Sequence, residues 1–213
     1  MDDKEVRERI LEGAEGLFMK YGIRSVSMDD IARQLGISKK TLYQHFADKD
    51  DMIQQVSLSH LSRNQQEMED MRRQAVNAID ELALISVALR KGMEELNPSL
   101  LFDLKKYHPK AWSAWQEHKQ RIVRESVARN LRQGIAEGFY RQEINPEVLS
   151  VIRLEIVELI FDEQIFPHDK YVLTKVQMEV FDHFVYGLLT DKGRALYEEY
   201  KSKVKSQEMI NQL

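Results

Sequence analysis

Apolar residues recur along almost the whole chain at the three- and four-residue spacing of an amphipathic α-helix, and this pattern constrains the fold more than any other feature. Residues 3–21 show it most simply, with an apolar stripe made of Val6, Ile10, Ala14, Leu17, Phe18 and Tyr21. No segment shows a convincing alternation with a period of two, which is the pattern of a half-buried strand. A chain of 213 residues can also bury a sizeable core. We therefore predict an all-α globular fold.

Capping residues, glycines and prolines divide this pattern into about nine or ten helices. Prolines stand at or just before several predicted helix starts, where their missing N–H is harmless; they are Pro98, Pro109, Pro146 and Pro167. Beyond three short helices in residues 1–47, the predicted helices lie at about 48–73, 76–95, 99–106, 109–138, 146–165, 169–190 and 193–206.

Two short, capped helices around a glycine form the most informative segment. Ser27 is predicted to cap the first helix, and Asp30 three residues later completes a capping box. Gly36 suits the turn, because glycine adopts positive φ without strain, and Ser38 is predicted to cap the next helix. This is the layout of a helix-turn-helix, whose second helix can enter a major groove.

The second helix of this segment combines an apolar face with outward polar groups. Leu42 and Phe46 stand one turn apart and should face the core. The residues then free to reach base edges are Lys39, Lys40, Tyr43 and Gln44; lysine suits guanine acceptors, and glutamine suits adenine. The residues that could donate to phosphate are Thr41, Tyr43, His45 and, in the first turn of the following helix, Lys49.

The distribution of charge fits a local DNA-binding surface. The formal net charge of -4 argues against a general nucleic-acid coat. Between residues 33 and 49, however, the basic residues Arg33, Lys39, Lys40 and Lys49 are accompanied by one acid, Asp48. A basic patch on an acidic protein favours site-specific contact with the DNA backbone.

Two strings in this region resemble the DNA-binding domain of the TetR family of bacterial transcription regulators. They are Ala14-x-x-Leu17-Phe18-x-x-Tyr21-Gly22 and Ser27-x-x-x-Ile-Ala-x-x-Leu-Gly-Ile-Ser-x-x-Thr-Leu-Tyr-x-His-Phe-x-x-Lys49. The resemblance covers about residues 4–55, a quarter of the chain. It implies base contacts from Lys39, Lys40, Tyr43 and Gln44, and phosphate contacts from Ser27, Thr41, Tyr43, His45 and Lys49. Asp29 and Asp30 flank the expected phosphate site at Ser27, so they must face away from it or weaken it.

The resemblance also implies that two segments of the chain have different functions. We expect residues 1–47 to be the DNA-binding domain, and residues 48–213 to bind an effector and to dimerise. The implied function is a repressor that a small molecule releases from double-stranded operator DNA. An activating or ligand-independent regulator, and a helical interaction protein without operator binding, remain alternatives.

The last predicted long helices carry more apolar residues than a single buried face requires. This favours an isologous dimer, which the family resemblance also implies. The predicted interface residues are Val151, Leu154, Glu158, Phe161, Phe181, Phe184, Val185 and Leu188. A monomer in which one helix is wholly buried is the alternative.

An aromatic-rich stretch precedes those helices and is a candidate effector pocket. Its candidate ligand-binding residues are Phe102, Tyr107, Trp112 and Trp115; the two tryptophans stand three residues apart and could line an apolar cavity. An ordinary core explains the same spacing equally well.

Other classes of function find little support in the sequence. The absence of cysteine excludes disulfides, zinc-thiolate sites and thiol nucleophiles, and no Glu-x-x-His spacing indicates a di-iron bundle. The chain lacks a nucleophile elbow, a P-loop and a dinucleotide-binding fingerprint. We expect no enzymatic activity, no cofactor and no metal. With no apolar run of membrane-spanning length and an acidic start unlike a signal peptide, we also expect a cytoplasmic protein without a membrane partner.

Overall fold

The structure is a computed structural model that describes residues 2–167 and 169–211. Its helices are α1 (Asp3–Tyr21), α2 (Met28–Leu35), α3 (Lys39–His45), α4 (Lys49–Gln74), α5 (Ala78–Glu95), α6 (Leu100–Tyr107), α7 (Pro109–His118), α8 (Arg124–Ala136), α9 (Pro146–Ile160), α10 (Leu173–Leu188) and α11 (Asp191–Asn211). A π-helical segment, Lys119–Val123, joins α7 to α8. Within the described ranges all regular elements are helical, and the β-type pairing is limited to an isolated bridge between Tyr140 and Leu189. The predicted all-α fold is confirmed.

The structure corrects the predicted helix over residues 109–138. The π segment interrupts it after His118, and α8 ends at Ala136. A π segment inserts one wide turn with i→i+5 hydrogen bonds, which apolar spacing alone does not reveal.

The helix predicted over 146–165 was also too long, because α9 ends at Ile160. The Phe161 N–H bonds to the Glu158 carbonyl at 3.1 Å, a tightened last turn. The Asp162 side chain then accepts a hydrogen bond from the Gln164 N–H at 2.9 Å, which favours a turn over further helix.

The chain divides into two compact units, which we call the head unit and the body unit. The head unit comprises Met1–Asn64 and Glu95–His118, and the body unit comprises Gln65–Glu94 and Lys119–Leu213. Along the chain, the boundaries between them fall within α4, at the end of α5 and between α7 and the π segment. The predicted assignment of functions to residues 1–47 and 48–213 stays a prediction.

An apolar core holds the helices of the head unit together. The one-sided stripe of α1 buries Ile10, Ala14 and Phe18. Around it pack Ile23, Val26, Met28, Ile31, Ala32, Leu42, Phe46, Met52, Ile53, Val56, Leu104 and Ala111. This core fixes α2 and α3, and through them the polar surface of α3.

The core of the body unit is mixed, with polar groups buried among apolar ones. Tyr140 is fully buried, and its hydroxyl lies 2.9 Å from Asn130 Oδ1. Asn130 Nδ2 donates to Glu81 at 2.7 Å, and Glu81 also accepts from Arg129 at 2.6 Å. Gly134 makes room for this arrangement, since a Cβ there would lie 2.1 Å from the Tyr140 ring.

Candidate DNA-binding surface

Local hydrogen bonds shape the α2–turn–α3 segment as the sequence predicts. Ser27 and Asp30 form a reciprocal capping box at the start of α2. Gly36 adopts the left-handed conformation with φ 64° and ends the helix. Ser38 caps α3, accepting from the Thr41 N–H at 3.0 Å. Caps of this kind stabilise a helix by about 1 kcal/mol each, which matters for a helix of seven residues.

The two faces of α3 have opposite character. Leu42 lies buried within the head core, and Phe46, directly after the helix, lies buried beside it. On the other side, the residues predicted to contact bases are all exposed; they are Lys39, Lys40, Tyr43 and Gln44. Tyr43 is 51% exposed, which is unusual for a large aromatic side chain and suits one that meets a partner. The structure therefore brings these four residues onto one open surface.

An acidic side chain from α2 occupies part of this surface. Lys39 Nζ lies 2.5 Å from Asp29 Oδ2, and both side chains are exposed. The hydrogen bond that Lys39 donates to Asp29 raises the pKa of Lys39, which stays protonated at neutral pH. The Asp29 carboxylate thus occupies the place beside Lys39 that an anionic or hydrogen-bond-accepting partner would take. The sequence indicated that Asp29 lies beside Ser27, but it did not indicate that Asp29 pairs with Lys39.

Asp30 is turned back toward its own helix cap. The Ser27 hydroxyl donates to Asp30 Oδ2 at 2.6 Å, and Arg33 also pairs with this carboxylate. The hydrogen bond from Ser27 lowers the pKa of Asp30. Because the Ser27 proton is engaged, a phosphate at this position would have to replace Asp30 as its acceptor.

The other residues predicted to contact phosphate make contacts within the head unit. Thr41 Oγ1 lies 2.9 Å from Ser38 Oγ. His45 has a largely buried ring, with Nε2 3.7 Å from Asp3 Oδ1. Lys49 donates to the Ile23 carbonyl at 2.7 Å, and burial lowers the pKa of its ammonium group. The structure does not bring His45 and Lys49 onto the open face of α3.

The four candidate ligand-binding residues occupy different environments in the head unit. Phe102 and Tyr107 are exposed, and Lys106 lies over both rings. Trp112 is half-buried and packs against the head core. Trp115 is also half-buried, and its Nε1 is a buried donor without a hydrogen-bond partner among the described residues. Their role in ligand binding stays a prediction.

The eight candidate dimer residues fall into three groups by their exposure. Four lie buried within the protomer, namely Leu154, Phe181, Val185 and Leu188. Glu158 is half-buried and binds the buried Lys119 at 2.5 Å, and Phe161 and Phe184 are half-buried too. Val151 is the one member of the set that is exposed.

A different apolar face of α9 is open instead. Its exposed apolar residues are Val148, Val151, Ile152 and Leu159, at the three- and four-residue spacing of one helix face. The first three, with Arg124 and Glu147, line a shallow surface depression. Apolar residues all around α9 predicted two buried faces, but the sequence did not reveal which face meets the protomer's own core.

Across 2–167 and 169–211, none of the helices is long and apolar enough to cross a membrane. Over the same ranges, His, Asp and Glu side chains do not gather in groups of three or more that could hold a metal ion.

Comparison with known proteins identifies the region that carries this surface. Residues 10–56 match the family model described as bacterial regulatory proteins, tetR family. YvaF, an HTH-type transcriptional regulator of Bacillus subtilis (strain 168), is 35% identical over 106 residues, which are 49% of this chain and 55% of that protein. An HTH-type transcriptional regulator of Staphylococcus aureus (strain USA300) is 51% identical over 51 residues, 24% of this chain and 28% of that protein. The matches thus span about half the length of the first relative and less of the second.

The fold has solved counterparts over nearly the whole chain. A transcriptional regulator from Saccharomonospora viridis, solved in complex with choline, superposes with a TM-score of 0.72 at 17% identity, covering 88% of this chain and all of that one. These relatives are regulators rather than enzymes, as the sequence predicts. Residues 10–56, which carry the capped helix-turn-helix, thus resemble the tetR family of bacterial regulatory proteins, and most of the chain shares its fold with a solved transcriptional regulator.

Proposed function

We propose that the protein is a sequence-specific transcription regulator that docks α3 in the major groove of operator DNA. The observation that carries the proposal is the open face of α3, where Lys39, Lys40, Tyr43 and Gln44 lie opposite the buried Leu42. A buried anchor on one face and flexible donors on the other suit a helix that must hold its register while it reads base edges.

The carboxylates around α3 fit a surface that exchanges partners. In the absence of DNA, Lys39 is held by Asp29 and the Ser27 hydroxyl by Asp30. Both pairs are exposed, and exposed ion pairs are weak because water screens them. A phosphate can therefore replace Asp30 at Ser27, and a base acceptor can replace Asp29 at Lys39.

We infer that the regulator acts as a homodimer, since two recognition helices must reach grooves roughly 34 Å apart. The open face of α9, with Val148, Val151, Ile152 and Leu159, supports this, because exposed apolar residues in a continuous stripe are typical of interfaces. This face adds Val148, Ile152 and Leu159, which were not predicted from the sequence, to the predicted interface residue Val151.

We also propose that the protein is a repressor released by a small molecule that binds outside the helix-turn-helix. The solved relative in complex with choline supports ligand binding in proteins of this fold. A ligand shifts the protein away from the DNA-binding state only by the ratio of its affinities for the two states. Because the operator is chromosomal, the proposal implies a cytoplasmic protein.

The test of DNA binding begins with selection of bound sequences from a random duplex pool. The selected duplex is then used in gel shifts with wild type, Lys39→Ala/Lys40→Ala and a control, Lys4→Ala/Lys20→Ala, which removes two exposed α1 lysines from the same unit. We expect the α3 variant to lose about 10- to 1,000-fold in affinity and to show a shallower salt dependence, with little change in the control. Equal retention by both variants would refute the assignment of α3.

The dimer surface has its own test. Ile152→Asp places a charge on the open α9 face, and Val87→Asp does the same at an equally exposed site on α5; the wild-type side chains are 43% and 42% exposed. We expect sedimentation to report a dimer for wild type and Val87→Asp, and a monomer for Ile152→Asp. A monomeric wild type would contradict the proposal.

A further inference from the structure

A guanidinium group lies buried in the body unit with no counter-ion among the described residues. Arg153 on α9 is 6% exposed, and its guanidinium carbon lies 5.3 Å from the centre of the Phe181 ring and 5.8 Å from that of Phe184. Among the described residues no carboxylate pairs with it, and Nη1 is a buried donor without an acceptor. Burial lowers its pKa to about 10, so that it remains charged at neutral pH.

Such a group is unfavourable for stability alone. Burying a charge is costly unless it is paired and hydrogen-bonded. The two aromatic rings offset part of this cost through cation–π contact. They cannot satisfy the five N–H donors of a guanidinium, which are directed in the plane of the group. Arg153 therefore has donors available for an acceptor that the described residues do not supply.

A second unpartnered polar group lies on the facing helix. Gln177 is 2% exposed, and its Oε1 is a buried acceptor without a donor among the described residues. It precedes Phe181 by four residues on α10, so the two side chains lie on the same face about one helical turn apart. Arg153 therefore contacts the ring of Phe181, and Gln177 lies one turn before Phe181 on the same face of α10.

We propose that Arg153 binds the carboxylate of an organic acid within the body unit, and that Gln177 accepts a hydrogen bond from a donor group of the same ligand. A carboxylate matches the fork of a guanidinium with two parallel hydrogen bonds. The rings of Phe181 and Phe184 would contact the apolar part of the acid. The proposal names the class of effector, and its link to DNA release rests on the proposed function.

Charge balance favours a monocarboxylate over a phosphate. One guanidinium neutralises one carboxylate, whereas a phosphate dianion calls for a second cation. Lys119, also buried in this unit, is already bound by Glu155 at 3.2 Å and by Glu158 at 2.5 Å. A cationic ligand would meet repulsion from Arg153.

The test measures binding with a panel of acids and their uncharged counterparts. Thermal unfolding and calorimetry of the full-length protein are followed with butyrate, octanoate, dodecanoate, benzoate and phenylacetate, with the matching primary amides, and with choline. We expect at least one acid to raise the Tm of the wild type in proportion to the logarithm of its concentration, and the amides and choline to have no effect. Arg153→Met should weaken binding of that acid by about 10- to 100-fold.

Ligand-free stability separates a binding role from a structural one. Because Arg153→Met removes a buried charge that has no ion-pair partner among the described residues, and loses only the contacts with the two rings, we expect it to unfold at the same or a higher temperature than wild type. Arg73→Met is the matched control, since it removes an exposed guanidinium of the same unit and should leave acid binding unchanged. Arg153→Lys keeps the charge but not the fork, and should bind the acid several-fold more weakly in a protein as stable as wild type.

Several outcomes would overturn the proposal. They are a wild type that none of the acids stabilises, amides as effective as acids, acid binding that survives in Arg153→Met, or a clear loss of ligand-free stability in Arg153→Met or Arg153→Lys. Gel shifts with the selected duplex distinguish a failure of the acid-binding proposal from a failure of the proposed DNA-binding function. If ligand-free Arg153→Met binds DNA like wild type but is not released by the acid, both stand; if acids bind through Arg153 and no duplex is selected, the proposed function alone fails.

Discussion

Residues 2–64 of the head unit and the body unit treat polar side chains in opposite ways, whereas the second segment of the head unit buries Asp103 and His118. Within described residues 2–64, the buried side chains are all apolar, and the polar groups of α3 lie on the surface with exposed, exchangeable partners. The body unit instead buries Glu81, Lys119, Asn130, Arg153 and Gln177. Exposed polar groups suit a large, rigid partner that approaches from outside. Buried ones suit either internal cross-links or a small ligand that the unit encloses.

The exposed pairs on the α2–α3 surface also differ from the buried pairs of the body unit in how far apart in sequence the partners lie. On that surface Ser27 pairs with Asp30 and Asp29 with Lys39, although elsewhere in the head unit Asp3 pairs with His45 and Glu15 with Arg63. The pairs of the body unit join Glu81 to Arg129 and Lys119 to Glu158. A short-range pair follows from helix and cap geometry, whereas a long-range pair exists only once the helices have packed.

The largest expected effect concerns the apolar anchor of α3. Phe46→Ala should reduce the free energy of unfolding by about 3–5 kcal/mol, because it empties a fully buried site in the head core. It should also abolish binding of the selected duplex. Phe102→Ala is the control, since this exposed ring of the same unit should contribute less than about 1 kcal/mol. Urea unfolding followed by circular dichroism measures both, and similar losses in the two variants would contradict an apolar anchor beneath the reading face.

A smaller effect is expected at the polar core of the body unit. Gly134→Ala would place a Cβ 2.1 Å from the Tyr140 ring and disturb its hydrogen bond to Asn130, at roughly 1–3 kcal/mol of stability. Gly92→Ala is the matched control within α5, because a Cβ there meets open space and should stabilise the helix by about 0.5–1 kcal/mol. The two changes should therefore shift Tm in opposite directions. A shift of the same sign would mean that Tyr140 moves aside easily and that this core is not tightly packed.

The sequence predicted the head unit far better than the body unit, because the predicted features of the head unit depend on local interactions. Caps at Ser27 and Ser38, the turn at Gly36 and the buried spacing of Leu42 and Phe46 are local, and each was predicted correctly. Tertiary packing decided the rest. The burial of the His45 ring, the open face of α9 and the lack of an ion-pair partner for Arg153 among the described residues each depend on neighbours distant in the chain or on a face that periodicity leaves ambiguous.

The smallest expected effect tests whether the polar partners of the head are exchangeable. Asp29→Asn frees Lys39 from its carboxylate and removes a negative charge from the surface proposed to bind DNA. Affinity for the selected duplex should rise by about two- to fivefold, the range that exposed ion pairs span. Stability should hardly change, because both side chains are exposed. Fluorescence anisotropy measures the affinity, and Glu12→Gln, an exposed acid on α1, is the control for net charge.

Salt and a second substitution show whether the gain comes through Lys39. The advantage of Asp29→Asn should shrink as salt rises, since screening weakens both the lost ion pair and the contact with DNA. It should also shrink in a Lys39→Ala background, because Asp29 then has no lysine to compete for. An equal gain in that background would assign the effect to general repulsion between Asp29 and DNA. A marked loss of stability in Asp29→Asn would mean that the head, like the body unit, depends on its polar pairs for folding, and the contrast between the two units would then fail.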